Sequence, residues 1–246
     1  MNNTQLEIKV RQRLNKLASN DFDNIECWQI VEAFNKAQIE WCRRQLRGTN
    51  QFKEGDEMSK RRIDDLQPLL KEIALGPGEA ALQSVQYNLF DGLANDFLEF
   101  KKVTAYAKKE CCKEDPKGRA MQVYLAEAGN VNLMLRDQLK KPSFEWSETF
   151  CTFQANSLRV YTNDDFEIEN TIFQYYRQPR LVEFEGCTDP TLGADENSGV
   201  SVVDVECEFK DDIAELLVDE TVSILAGDVA DVNNYIRGSQ QAEKNN

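Results

Sequence analysis

Apolar residues in the N-terminal part of the chain recur at helical spacing. Leu6, Val10, Leu14 and Leu17 are separated by four, four and three positions, which predicts one apolar face of a helix over 4–18. Residues 19–23 (Ser-Asn-Asp-Phe-Asp) supply capping side chains for a second helix running to Arg47, where Gly48 gives a stop. The apolar set of that helix includes Ile25, Trp28, Val31, Phe34, Trp41 and Leu46, wide enough to meet a core on more than one side. Residues 48–60 read as a loop, 60–70 as a short helix ending near Pro68, and Gly76-Pro77-Gly78 as a turn.

From about Asn95 the period changes from helical to two. A strand from Val103, a charged turn at 112–118 and a strand through Ala120–Leu125 form one hairpin. A short helix is expected over 130–138, then strands at 144–150, 157–161 and 166–176, with Asn163-Asp164-Asp165 turning the last pair. Residues 188–201 are a long polar loop, and helical spacing returns with Phe209, Ile213, Leu216, Leu217, Val222 and Leu225. Asp211 and Asp212 sit in the first turn of this helix, where negative charge offsets the dipole. A last helix is expected through Val229, Val232 and Ile236.

The resulting partition is an N-terminal helical part at 1–94, an inserted β module at 95–187 and a loop and connector at 188–208. C-terminal helices at 209–236 pack on the N-terminal part, and a polar tail covers 237–246. The fold class expected is α+β, a helical core from both ends of the chain with an inserted antiparallel β module, a sandwich or small barrel.

Composition narrows the chemistry. No histidine occurs in 246 residues, which removes Ser-His-Asp and Cys-His catalysis and histidine-ligated zinc or iron. The Gly-Pro-Gly turn lacks the length and the Lys-Ser/Thr ending of a phosphate loop. We therefore expect no enzyme activity, no cofactor and no metal. Seven cysteines without a CxxC spacing read as small buried thiols of a reducing cytosol, not as a disulfide framework or zinc site. The N-terminus has no signal-peptide pattern, and no apolar run approaches the roughly 20 residues of a membrane span.

The net charge of −14 argues against coating a nucleic-acid duplex, which needs clustered cations. It suits a passage through which DNA slides without adhering, and equally a protein kept soluble by its charge. The acidic pairs Asp64-Asp65, Asp164-Asp165 and Asp211-Asp212 are the only groups with a catalytic look. Such pairs can hydrolyse glycosides or hold magnesium, and each also reads as a helix-start or turn element.

Candidate contact residues are cations. Arg43, Arg44, Arg61 and Arg62 carry the side chain favoured at interfaces, or form a solvated helix face. Lys108 and Lys109 belong to the basic stretch 101–119, which reads as a contact patch for an acidic neighbour or as a solvated hairpin. Arg237 and Lys244 lie in the polar tail, a segment suited to capture by a partner.

Five segments carry a resemblance to a known family: 14–44, "RRIDDLQPLL" at 61–70, "SFEWSETFCTF" at 143–153, 158–184 with its Tyr175-Tyr176-Arg177-x-Pro179 turn, and the acidic amphipathic stretch 209–235. They resemble head–tail connector proteins of tailed bacteriophages, the portal-docking rings or adaptors, and in particular the ring proteins of crAss-like phages. The resemblance implies a structural virion protein at the head–tail junction, assembled in the host cytoplasm. It further implies a homo-oligomeric ring, a dodecamer in this family, that contacts the portal protein and the next tail or ring protein. DNA would pass non-specifically through its channel, with no membrane partner. The larger β region departs from the compact helical connectors. The competing expectations are a carboxylate-dependent glycan hydrolase of the virion and another neck or tail-completion protein.

Overall fold

The structure, a computed structural model, describes residues 1–15, 25–50, 53, 55, 57–76, 78–89, 96–109, 118–154, 156–187, 203–228, 236 and 239–240. The long loop 188–201, the vicinal Cys111 and Cys112, Leu17 and the stretch through Val229 and Val232 lie outside them. So do Arg237 and Lys244. The chain is α+β, with a sheet inserted between helical segments from its two ends. It divides into a helical unit, Met1–Leu69 with Pro179–Asn246, and a sheet unit, Leu70–Gln178.

The helical unit is built on α1 (Asn3–Leu14), α2 (Cys27–Arg47), α3 (Lys60–Leu66) and α5 (Asp211–Asp228). Asn2 starts α1 by accepting from the Gln5 N–H at 2.8 Å. The Gln29 side chain accepts from the Glu26 N–H at 3.0 Å to close a capping box on α2. Gly48, at φ 68°, ends α2 in the left-handed region, where a side chain would be strained. The predicted spacings hold at Leu6, Val10 and Leu14 of α1 and at Phe34 and Trp41 of α2, all essentially buried, whereas Trp28 and Val31 are half-buried and Ile30 is buried beside them. Ile213, Leu217 and Val218 of α5 join them, and Trp41 meets Phe209 edge to face at 5.2 Å.

Polar side chains complete this unit. The Asn35 Nδ2 donates to the Val182 carbonyl at 3.1 Å while its Oδ1 accepts from the Val182 N–H at 2.8 Å. The side-chain amide thus replaces a missing strand partner for the backbone of 182. Asn3 likewise donates to the carbonyls of Glu183 and Val205, which form an antiparallel bridge with each other.

The sheet unit is one eight-stranded sheet curled into a half-barrel. Its strands are β1 (Leu70–Leu75), β2 (Glu79–Ala81), β3 (Ser84–Asn88), β4 (Phe97–Lys108), β5 (Arg119–Leu125), β6 (Glu148–Gln154), β7 (Ser157–Tyr161) and β8 (Glu167–Arg177). Their spatial order is β1-β8-β4-β5-β6-β7-β3-β2. All pairs are antiparallel except β5 with β6, so the module is mixed, not wholly antiparallel. A parallel pair needs a crossover, and residues 126–147 supply it, including α4 (Val131–Arg136).

The curl brings strands far apart in the order face to face. Thr171 of β8 donates to the Tyr87 hydroxyl of β3 at 2.9 Å, and Phe100 of β4 meets Phe153 of β6 at 5.3 Å. Register shifts between β4 and β8 at Phe97/Glu99, Phe100/Lys102 and Tyr106/Ala107 mark irregularities that bend this long pair. Val103, Ala105, Met121, Leu158, Val160, Phe173 and Tyr175 fill the concave side.

Two expectations are corrected. The sheet begins at Leu70, not at 95, because β1 to β3 precede the long strands, and Pro179–Cys187 belongs with the helices. β1 and β2 are edge strands with mostly exposed side chains, so they show no apolar alternation to read. Cys27 and Cys187 are joined in a disulfide with Cα atoms 5.8 Å apart. The reading of all seven cysteines as free thiols fails for this pair, whose partners are 160 residues apart and carry no spacing signal.

Candidate functional site

The predicted contact cations separate by environment. Arg43 is exposed on α2. One turn face away, Arg44 pairs with Glu220 of α5, whose side chain is 9% exposed. It is one of a row of such ties: Arg13 reaches Glu215 at 2.5 Å and Asp219 at 2.7 Å, and Lys9 also pairs with Glu215. Arg44 therefore clamps α2 to α5, with 30% of its side chain still exposed. Burial raises the pKa of Glu220, and Arg44 opposes that rise.

Arg61 is half exposed and lies 3.8 Å from Asp65, one turn along α3. Arg62 is 1% exposed, so it belongs to the interior of the helical unit and not to a contact surface. Adjacent residues of a helix lie about 100° apart, so here one arginine faces inward and the other outward, and the sequence does not say which. Arg237 and Lys244 lie outside the described residues.

Lys108 and Lys109 end β4 at the rim of the half-barrel. Lys108 pairs with Glu169, and Lys109 donates to Asp165 at 2.6 Å. They border a cleft of about 1050 Å³ whose other walls include Tyr87, Asp164, Asp165, Glu167 and Glu169. Both lysines are paired with acids of its wall, which leaves Asp164 and Glu167 as a small acidic excess.

The acidic pairs have structural positions. Asp164, at φ 56°, and Asn163, at φ 51°, make the turn between β7 and β8, a conformation that Asn and Asp tolerate. Asp165 accepts from Lys109 and from the Phe144 N–H at 3.1 Å, and the lysine holds its pKa below the ordinary carboxylate value. Asp211 pairs with the N-terminal ammonium at 2.5 Å, which also lowers its pKa. Asp65 is raised by burial, against Arg61 and Arg62, and the charge of Asp212 adds to the rise. Buried Cys42 and Cys151 are raised by burial as well, Cys151 to about 12, so both stay protonated and behave as apolar groups. Among the described residues no group of three or more Cys, Asp or Glu is placed to hold a metal ion. No described helix is long and apolar enough to cross a membrane.

One surface escaped the sequence reading. Leu133, Leu139 and Trp146 of the β5–β6 crossover are 68%, 91% and 79% exposed. Trp146 was expected to alternate with Phe144 in a strand, but β6 starts only at Glu148, and Ser147 at φ 57° turns the chain before it. The available signal was the mixture of Leu, Arg136, Lys140 and Lys141 in a run too short for a core helix.

No protein-family model matches this chain, and no curated protein matches it.

Proposed function

We propose that this protein is a structural virion subunit that forms a ring beneath the portal of a tailed phage, connects capsid to tail and encloses the DNA exit channel. One observation carries the reading beyond the resemblance of the five segments. Of a chain with 29 cations and 43 acids, Lys9, Arg13 and Arg44 are spent on clamping α5, and Lys108 and Lys109 on carboxylates of the sheet rim. Each tie uses an acid as well as a cation, so the net charge of −14 remains with fewer cations left to hold phosphate, which suits a conduit that must not bind DNA. Asp164 supplies a turn, and Asp165, Asp211 and Asp65 lie in ion pairs, so at least one member of each acidic pair has a structural role.

The test is imaging of the purified chain, alone and mixed with its portal protein, by negative-stain electron microscopy. Rings or portal-capped rings are expected. A protein that stays monomeric in both mixtures overturns the reading.

A further inference from the structure

We propose that the crossover between β5 and β6 is an arm by which one copy of this chain grips the helical unit of a neighbouring copy. The proposal rests on the ring reading for the presence of that neighbour.

The arm is built to be covered. α4 has Val, Leu, Met and Leu among its six residues; Leu133 is exposed, Val131, Met134 and Leu135 are half-buried, and none is fully buried. A helix this short is unstable in water on propensity alone, so an apolar face that is only partly covered leaves it under-supported until something packs on it. Single exposed apolar residues are ordinary, but here Leu133, Leu139 and Trp146 lie along one connection, and Leu125 ends the strand that leads into it. The base, in contrast, is fixed. The Phe144 N–H donates to Asp165, the Arg119 guanidinium lies 4.9 Å over the Phe144 ring, and Arg119 donates to the Phe144 carbonyl at 3.0 Å. A pinned base with a bare apolar tip lowers the ordering cost of docking.

Charge selects the occupant. Between Val131 and Lys141 the tip of the arm carries Arg136, Lys140 and Lys141 against the single acid Asp137, with Glu127 and Glu145 at its base, on a chain of net charge −14. Among the described residues none of the three cations is in an ion pair. Their match is an acidic surface with apolar residues in it. The helical unit of the same chain has one around the Glu183–Val205 bridge, where Leu181 is 52% exposed and Glu185 and Glu206 are exposed. An anionic lipid surface would also take a basic, apolar arm, but it would repel the rest of so acidic a chain. Arm and acceptor are unlike surfaces, so their contact is head to tail, the kind that closes rings.

The experiment is sedimentation velocity of the full chain over a concentration series at low and high salt, with circular dichroism as the folding control. Wild type should associate, less so at high salt. Leu133→Asp with Leu139→Asp, and separately the milder Trp146→Ala, should weaken association about tenfold or more while leaving the fold intact, because these side chains are exposed. Lys140→Glu with Lys141→Glu should weaken it similarly, and adding Glu185→Lys with Glu206→Lys should restore it. Unchanged association of both apolar variants overturns the arm and leaves the ring reading standing. Failure of the charge swap to restore association overturns the acceptor. A wild type that stays monomeric alone and with portal overturns arm and ring together, and a monomer that binds anionic vesicles assigns the arm to a membrane instead.

Discussion

Arg43 and Arg44 are neighbours in sequence and opposite in role. Arg44 touches a nearly buried carboxylate, so Arg44→Ala should cost about 2 kcal/mol, below the range for a fully buried pair because Arg44 keeps part of its surface in water. Arg43→Ala should change stability by about 0.5 kcal/mol or less. Urea unfolding of the two variants checks this, and equal losses would contradict the clamp. The carboxylates give a second contrast, in pH. Lys109 lowers the pKa of Asp165, so the unfolded chain binds the proton first and this contribution to stability is lost as pH falls through the lowered value. Burial raises Glu220, so the folded chain binds the proton first and stability declines as pH rises above the ordinary carboxylate value. Melting curves across acid pH should therefore show that Asp165→Asn flattens the loss at low pH, whereas Glu220→Gln removes the decline above it. The same slope in both variants would refute the two assignments.

Elements differ in how much they owe to their neighbours. Phe173 on β8 is fully buried, with the rings of Phe100, Phe153 and Tyr175 at 5.9, 6.1 and 5.6 Å, so it sits where the curl brings β4, β6 and β8 together. Phe173→Ala should cost about 3–5 kcal/mol, read as a lowered denaturation midpoint, and a loss no larger than that of an exposed substitution such as Leu82→Ala would show that the curl is not held there. Strands such as β7 and β8 were legible because buried and less buried positions alternate along them and the period of two survives. α1, α2 and α5 were legible for the equivalent reason at helical spacing. β1 and β2 were not, since an edge strand with exposed side chains leaves no apolar rhythm, and β3 buries only Ser84 and Tyr87, three positions apart, which is no alternation. Nor was the parallel pairing of β5 with β6, because pairing direction is set by the connection and not by the strands. Of the candidate cations, sequence located the exposed Arg43 but could not tell which side of a helix Arg44 and Arg62 would take.

At the scale of the molecule, the Cys27–Cys187 bridge joins the start of α2 to the chain just after its return from the sheet unit, so Leu70–Gln178 lies wholly inside the loop it closes. A cross-link over 160 residues removes much of the freedom of the unfolded chain, about 5 kcal/mol in the chain-entropy model. That makes the stability of the helical unit depend on redox history. In a reducing cytosol the two thiols remain apart as thiols, and the bridge forms only when the protein meets an oxidant. Protein trapped with an alkylating agent directly from such a cytosol should therefore titrate all seven thiols after denaturation, and protein purified in air no more than five. Cys27→Ser should lower the melting temperature of the air-purified protein and leave that of the reduced protein nearly unchanged, since Cys27 is only half buried and its lost contacts are few. Seven free thiols in the air-purified protein, or equal losses in both redox states, would refute the bridge as a stabilising element and return the pair to the role first read for all seven cysteines, small buried thiols.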